Sequence, residues 1–107
     1  MSALIVITHL PDRDVALKIA RVLIERKLAA CVNILAECTS VYRWQGKLES
    51  ATEVPLLIKT RAARYDEVEA AIRSVHPYEL PEIIAFSIQG HMDYLAWIAG
   101  ETVTEIG

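Results

Sequence analysis

Little in this sequence points toward a polyanion or a lipid. Lysine and arginine number 11 against 14 aspartates and glutamates, a formal net charge of −3. No basic cluster stands out, which argues against nucleic acid or an anionic membrane as a partner. No uncharged apolar run approaches the ~18 residues of a membrane span. The opening Met1-Ser2-Ala3-Leu4-Ile5-Val6 lacks the basic start of a secretory signal. Cysteine is scarce, with only Cys31 and Cys38. On one extended strand these would stand about 23 Å apart at ~3.3 Å per residue, far beyond the ~7 Å between Cα atoms that a disulfide tolerates. Free thiols without a leader point to the cytosol. A nucleophile elbow, a P-loop, a dinucleotide fingerprint and a zincin motif are all missing. No Ser-His-Asp or Cys-His set assembles, so the expectation is a protein that is not an enzyme.

What is present is a core-forming chain. Hydrophobic residues make up 53% of the 107, and charged residues 23%, which supports a real core and argues against disorder. With no repeat, linker or low-complexity tract, the expectation is one domain over residues 1–107. Leu4 to Thr8 is an apolar, β-branched run and predicts a buried strand. Asp12 or Asp14 then caps a helix, whose apolar stripe is Val15, Ile19, Val22 and Leu23. Basic Arg26 and Lys27 suit its C-terminus. Leu28 to Trp44 predicts a long strand, Trp44-Gln45-Gly46-Lys47 a turn with Gly46 at positive φ, and Leu48 to Thr60 the returning strand. Pro55 cannot donate to a ladder and marks an edge or a bulge there. Ala62 to Val75 predicts a second helix with Tyr65, Val68, Ile72 and Val75 on one face, ended by Pro77 and Pro81. Ile83 to Ile88 is a further strand. Asp93 caps a short last helix over Tyr94 to Ala99, and residues 101–107 form a short strand or fray. The order is that of an α+β fold, a ferredoxin-like βαββαβ sandwich with a C-terminal helix. Right-handed crossovers put the first two helices on one face of an antiparallel sheet.

The hairpin is too long for its domain. Ala29 to Arg43, fully extended, spans roughly 50 Å, against a diameter of roughly 35 Å for a domain this size. Its tip carries Val41, Tyr42 and Trp44, which are costly to leave in water. An overhanging hairpin with open edges invites pairing with other copies in a closed ring. The alternative is a bend near Glu37 to Ser40 that returns the hairpin to its own domain.

Several residues could carry chemistry. In this topology His9 ends the first strand and His76 the second helix, so both reach the upper edge of the sheet, while His91 lies at the lower edge. With Asp12, Asp14, Glu79 and Glu82 nearby in sequence, these imidazoles could hold Cu(II), Zn or Ni, although no paired-ligand spacing such as H-x-x-x-H occurs. The commoner role of a histidine before proline is a hydrogen bond at a helix end. Cys31 reads as a soft-metal ligand or as a small buried hydrophobe. Glu53 and Lys59 share a strand face about 20 Å apart. Each either pairs with a neighbouring strand or subunit or lines a ligand cleft. Tyr42 and Trp44 stack on a ligand or pack into a partner.

The segments Lys27-Leu28-Ala29-Ala30-Cys31-Val32-Asn33-Ile34, Ser40-Val41-Tyr42-Arg43-Trp44-Gln45-Gly46-Lys47-Leu48-Glu49, Leu57-Ile58-Lys59-Thr60, His76-Pro77-Tyr78-Glu79-Leu80-Pro81-Glu82-Ile83 and Asp93-Tyr94-Leu95-Ala96-Trp97 closely resemble the CutA divalent-cation tolerance family. The resemblance runs from the first strand through the last helix. It implies a homotrimer shaped like the PII signalling proteins, with hairpins packed between subunits and lateral clefts that would include Cys31, Trp44, Glu53, Lys59 and Tyr78. It implies a role in tolerance of divalent metals, copper above all, and no enzymatic reaction. The family's copper ligands, a cysteine and two adjacent histidines, match Thr8, Val75 and His76 here, so only His76 keeps a ligand type. His9, one residue beyond Thr8, is the candidate substitute, although a one-residue shift turns a side chain to the other strand face. The rival expectation is a PII-like signalling scaffold that holds a small effector in those clefts.

Overall fold

In a computed structural model, residues 2–103 are described. The chain runs β1 (Ala3–Leu10), α1 (Arg13–Glu25), β2 (Cys31–Ile34), β3 (Cys38–Trp44), β4 (Lys47–Arg61), a 3₁₀ turn (Ala62–Arg64), α2 (Tyr65–Val75), β5 (Ile83–Ile88) and α3 (Met92–Glu101). The sheet has the order β2-β4-β1-β5, with β3 continuing along β4, and every pairing is antiparallel. This is the expected α+β fold with its first hairpin arm broken in two.

Alternation along the strands decides the two faces. Val6, Thr8 and Leu10 of β1 stand opposite Ile58, Leu56 and Val54 of β4, and all six are fully buried. They meet Ala16, Ile19 and Leu23 of α1 and Val68, Ala71 and Ile72 of α2 in one core cluster. Each large side chain buried this way contributes about 1.5–3 kcal/mol. Ala16 and Ala20 belong to the buried stripe of α1, while Val22 is only half-buried. Asp12 is the cap of α1, its carboxylate accepting from the Val15 amide at 2.9 Å. Lys27, just beyond Arg26, takes φ 57°, and the Leu28 amide bonds back to the Leu23 carbonyl. A left-handed residue thus closes the helix.

The expected single strand from Leu28 to Trp44 is interrupted at Leu35–Glu37, and Pro55 is the reason. Ile34 pairs with Leu56 and Cys38 with Glu53, so three residues oppose Val54 and Pro55. The Leu35 amide bonds to the Pro55 carbonyl at 3.0 Å, placing the side of Pro55 that lacks an N–H toward this arm. The ladder cannot continue there, and the extra residue is a bulge. The bulge does not fold the hairpin back. The protein measures 47 × 29 × 22 Å, residues 41–50 are all exposed, and Val41 and Leu48 near the tip are 67% and 77% accessible. The turn holds Gln45 at φ 50° and Gly46 at φ 81°, the two-residue primed geometry that matches strand twist.

Two boundaries differ from expectation. The start of the second helix, Ala62–Arg64, is a 3₁₀ turn. The last helix begins at Met92, its cap is His91 rather than Asp93, and His91 Nδ1 accepts from the Tyr94 amide at 3.4 Å. Asp93 falls inside the first turn, where its charge still suits the helix dipole. The helix reaches Glu101, so the expected tail strand falls mostly on residues 104–107, outside the described residues. Among the described residues no helix is long and apolar enough to cross a membrane.

α3 covers part of the second sheet face, against β1 and β4, with Ile98 fully buried. Arg61 anchors its end, donating from Nε to Thr102 Oγ1 at 3.0 Å and from Nη2 to the Thr102 carbonyl at 2.9 Å. The rest of that face is open. Ile84 and Phe86 of β5 lie beside Ile7 and Ile5 of β1, and are 53% and 48% accessible.

Candidate functional site

The upper rim gathers the end of β1, the C-cap of α2 and the loop before β5. His76 leaves α2 in an extended conformation, as the following proline requires. Its side chain turns inward and is 9% accessible. Nε2 lies 2.9 Å from the His9 carbonyl, which can only accept, and the Tyr78 amide donates to Nδ1 at 3.2 Å. The ring is therefore a neutral imidazole with its proton on Nε2. Burial lowers its pKa from the ordinary 6.5, against smaller opposing effects of the His9 carbonyl and Glu53. Both ring nitrogens are engaged, so neither is open to a metal ion in this conformation.

His9 is on the face opposite Thr8, with its Nδ1 3.2 Å from Glu82 Oε1. That approach is close enough for an ion pair but is too misaligned for a hydrogen bond. Histidines 9 and 76 are joined through the His9 backbone, not through converging rings. Thr8 Oγ1 is buried without a partner among the described residues. No group of three or more His, Cys, Asp or Glu able to hold a metal ion occurs among those residues. The described donors of a single protomer do not make a complete ion site.

Sequence reasoning missed the burial of Glu53, which is only 8% accessible. Tyr78 lies over it. Burial, then the hydrogen bond to Glu53, raises the phenol above its ordinary pKa. The ring of Tyr78 also packs 4.8 Å from that of His76. His76, Tyr78 and Glu53 thus form a chain from the end of α2 to the root of the hairpin, where Glu53 faces Cys38. The signal for this lay in Pro77 and Pro81, which stiffen the loop, but nothing in the spacing showed which way Tyr78 would turn.

The other proposed cleft residues lie elsewhere. Cys31 stands opposite Lys59 at the lower part of the open face. Its thiol is 3.9 Å from Asn33 Oδ1, and both cysteines are free. Lys59 donates to Tyr94 Oη at 3.3 Å, with its ammonium 5.5 Å from the ring centroid. Trp44 closes the hairpin opposite Lys47, roughly 20 Å along the strand from Glu53. Glu53, Lys59 and Trp44 therefore do not converge within one protomer.

A family model described as "CutA1 divalent ion tolerance protein" matches residues 4–101. The chain is 52% identical over 96 residues to "Protein CutA homolog" of Xenopus laevis, across 89% of this chain and 63% of that protein. It spans about half to two thirds of the length of the animal relatives it matches. Among solved structures, CutA from Xylella fastidiosa superposes with TM-score 0.93 at 40% identity, covering 96% of this chain and 100% of the other. A protein titled "Periplasmic divalent cation tolerance protein CutA", from Archaeoglobus fulgidus, gives 0.91 at 36%, covering 94% and 99%.

Proposed function

Since the chain belongs to the CutA1 divalent ion tolerance family, we propose that it works as a non-enzymatic homotrimer, assembled through its hairpin, that meets divalent ions at its upper rim. The observation that carries this reading is the uncovered apolar surface. The hairpin tip and the Ile84–Phe86 strip expose large apolar side chains, and such surface marks an interface. Three copies related by a closed rotation would bury each hairpin against a neighbour. They would also bring Trp44 of one protomer toward the open face of the next. The ion is cargo. Copper(II) is the expected one, and His9 with Glu82 is the pair that would offer it an imidazole and a carboxylate, completed by groups from a neighbour. His76 supports that pair by holding the His9 carbonyl. The cytosol remains the proposed compartment, while the Archaeoglobus relative carries the word periplasmic in its title.

Light scattering across a concentration series tests the assembly. Three times the 11.9 kDa chain mass is expected, and a concentration-independent monomer mass would defeat it. Titration with Cu(II) tests the ion site. His9→Ala should abolish stoichiometric binding, whereas equal affinity in His9→Ala and wild type removes His9 from the site. A His76→Ala titration run beside it decides whether His76 takes part.

A second reading, a signalling trimer that holds a small effector in its clefts, is favoured by the contact between Lys59 and Tyr94 on the open face.

A further inference from the structure

We propose that Tyr78 and Glu53 are positioning residues for the rim pair His9 and Glu82, acting on it through the ring of His76. The proposal deepens the ion reading above and rests on it.

The starting observation is that His9 does not hold its own ring. A histidine that takes a metal ion ordinarily has its second ring nitrogen fixed by a hydrogen bond. His9 Nδ1 is buried and makes none among the described residues, although Glu82 Oε1 is 3.2 Å away. The sheet gives little help. β1 runs to Leu10, but β5 pairs with it only as far as Thr8 opposite Ile83, and His9 and Glu82 stand one step past that end. On its other side His9 faces Pro55, which has no N–H to offer. The His9 carbonyl therefore depends on the His76 ring, whose Nε2 lies 2.9 Å away.

His76 is held in turn by Tyr78. The Tyr78 amide donates to Nδ1 at 3.2 Å, and the two rings pack with centroids 4.8 Å apart. Of residues 77–80 Tyr78 alone is half-buried, the others being exposed. Its side chain is thus the inward anchor of the loop that leads to Glu82. The anchor point is Glu53, which accepts from the phenol. Both members of the rim pair lead back to this one contact, His9 by way of its carbonyl and Glu82 by way of the loop.

Packing alone does not account for that contact. A carboxylate is costly to remove from water, and Glu53 is 8% accessible. An apolar side chain would fill the place without that cost. What Glu53 adds is direction, an acceptor fixed on β4 where its pairing with β1 begins, since the next residue, Val54, faces Leu10. Groups that hold a metal's ligands rather than the metal set affinity by fixing those ligands before the ion arrives.

Calorimetric titration of the full chain with Cu(II), with electron paramagnetic resonance of the loaded protein, tests the proposal. Tyr78→Phe, which keeps the ring and loses the hydroxyl, should bind Cu(II) about tenfold or more weakly at unchanged stoichiometry. Glu53→Ala should do the same, and the two together should add little to either alone. Glu53→Gln retains an acceptor oxygen and should stay within about threefold of wild type. The copper spectrum separates positioning from folding. Tyr78→Phe and Glu53→Ala should change its nitrogen hyperfine pattern. Ile19→Val, a core truncation in the middle of α1, should lower the melting temperature and leave affinity and spectrum as in wild type. Glu53→Ala carries the test where Tyr78→Phe folds poorly. Equal affinity in wild type and a folded Tyr78→Phe overturns the positioning role and leaves the ion reading intact. So does a loss matched by Ile19→Val, additive losses in the double variant, or failure of Glu53→Gln to retain affinity. A wild type that takes up no Cu(II) saturably overturns the ion reading, and the proposal with it.

Discussion

Thr8 and His76 show how far a residue's neighbours decide its role. Thr8 looks out of place in the core, with a hydroxyl buried and unpaired among the described residues. A buried unmade hydrogen bond costs about 1–3 kcal/mol. Valine has the same shape without the polar atom, so Thr8→Val should stabilise the protein by about 1 kcal/mol, read as a higher denaturant midpoint at unchanged m-value. His76 makes a prediction about pH. Its pKa is depressed in the folded state, chiefly by burial, so the unfolded chain binds the proton more readily. Stability from this residue is full above its ordinary pKa of 6.5 and is lost as pH falls through the lower folded value. Protonation also places a hydrogen on Nδ1, where the Tyr78 amide already donates. Wild type should therefore lose stability below pH 6.5 more steeply than His76→Gln in a matched series of urea melts, and parallel curves would refute the assignment.

At the scale of elements, the hairpin is governed by its turn and its bulge. Gly46 has φ 81°, and a Cβ added there would meet nothing within 4 Å. Any loss on substitution must come from the backbone alone. Gly46→Ala should cost about 1 kcal/mol, measured by thermal unfolding. A neutral result would mean the turn can adopt another geometry. α3 depends on a different device. Arg61 holds the carbonyl and hydroxyl of its C-cap Thr102 from β4, so Arg61→Ala should loosen the helix and speed hydrogen exchange at Ile98 and Thr102 while leaving Val6 and Ile58 protected. The amphipathic helices and apolar strands were legible because their periods, 3.6 and 2, are written in local order. The bulge was half legible: Pro55 announced that a ladder would fail, but not on which side. That depended on the direction of its carbonyl relative to the neighbouring strands.

For the whole molecule, the long axis of 47 Å and the uncovered tip are the features a single protomer leaves unresolved. Placing a charge at the tip, as in Trp44→Glu, should shift the mass measured by light scattering toward one chain without altering the far-ultraviolet spectrum of the core. An unchanged assembly would place the interface elsewhere. The candidate site has the same dependence on scale. The family resemblance implies clefts between subunits that include Cys31, Trp44, Glu53, Lys59 and Tyr78. Within one protomer these lie at the rim, the lower open face and the tip, because β4, 15 residues long, keeps Glu53 and Lys59 far apart.

By itself the sequence determined the element order, the core stripe and the length of the hairpin, since each follows from composition and periodicity along the chain, while its motifs carried the resemblance to the family. Only the tertiary structure decided that His76 is a closed hydrogen-bonding link, that Glu53 is buried and bonded to Tyr78, and that Lys59 has Tyr94 as its hydrogen-bond partner. Those outcomes depend on which segments meet, and distant residues acquire a shared environment only when the sheet brings them together. The hydrogen-bond partner of a polar side chain is a property of that environment, and no local pattern encodes it.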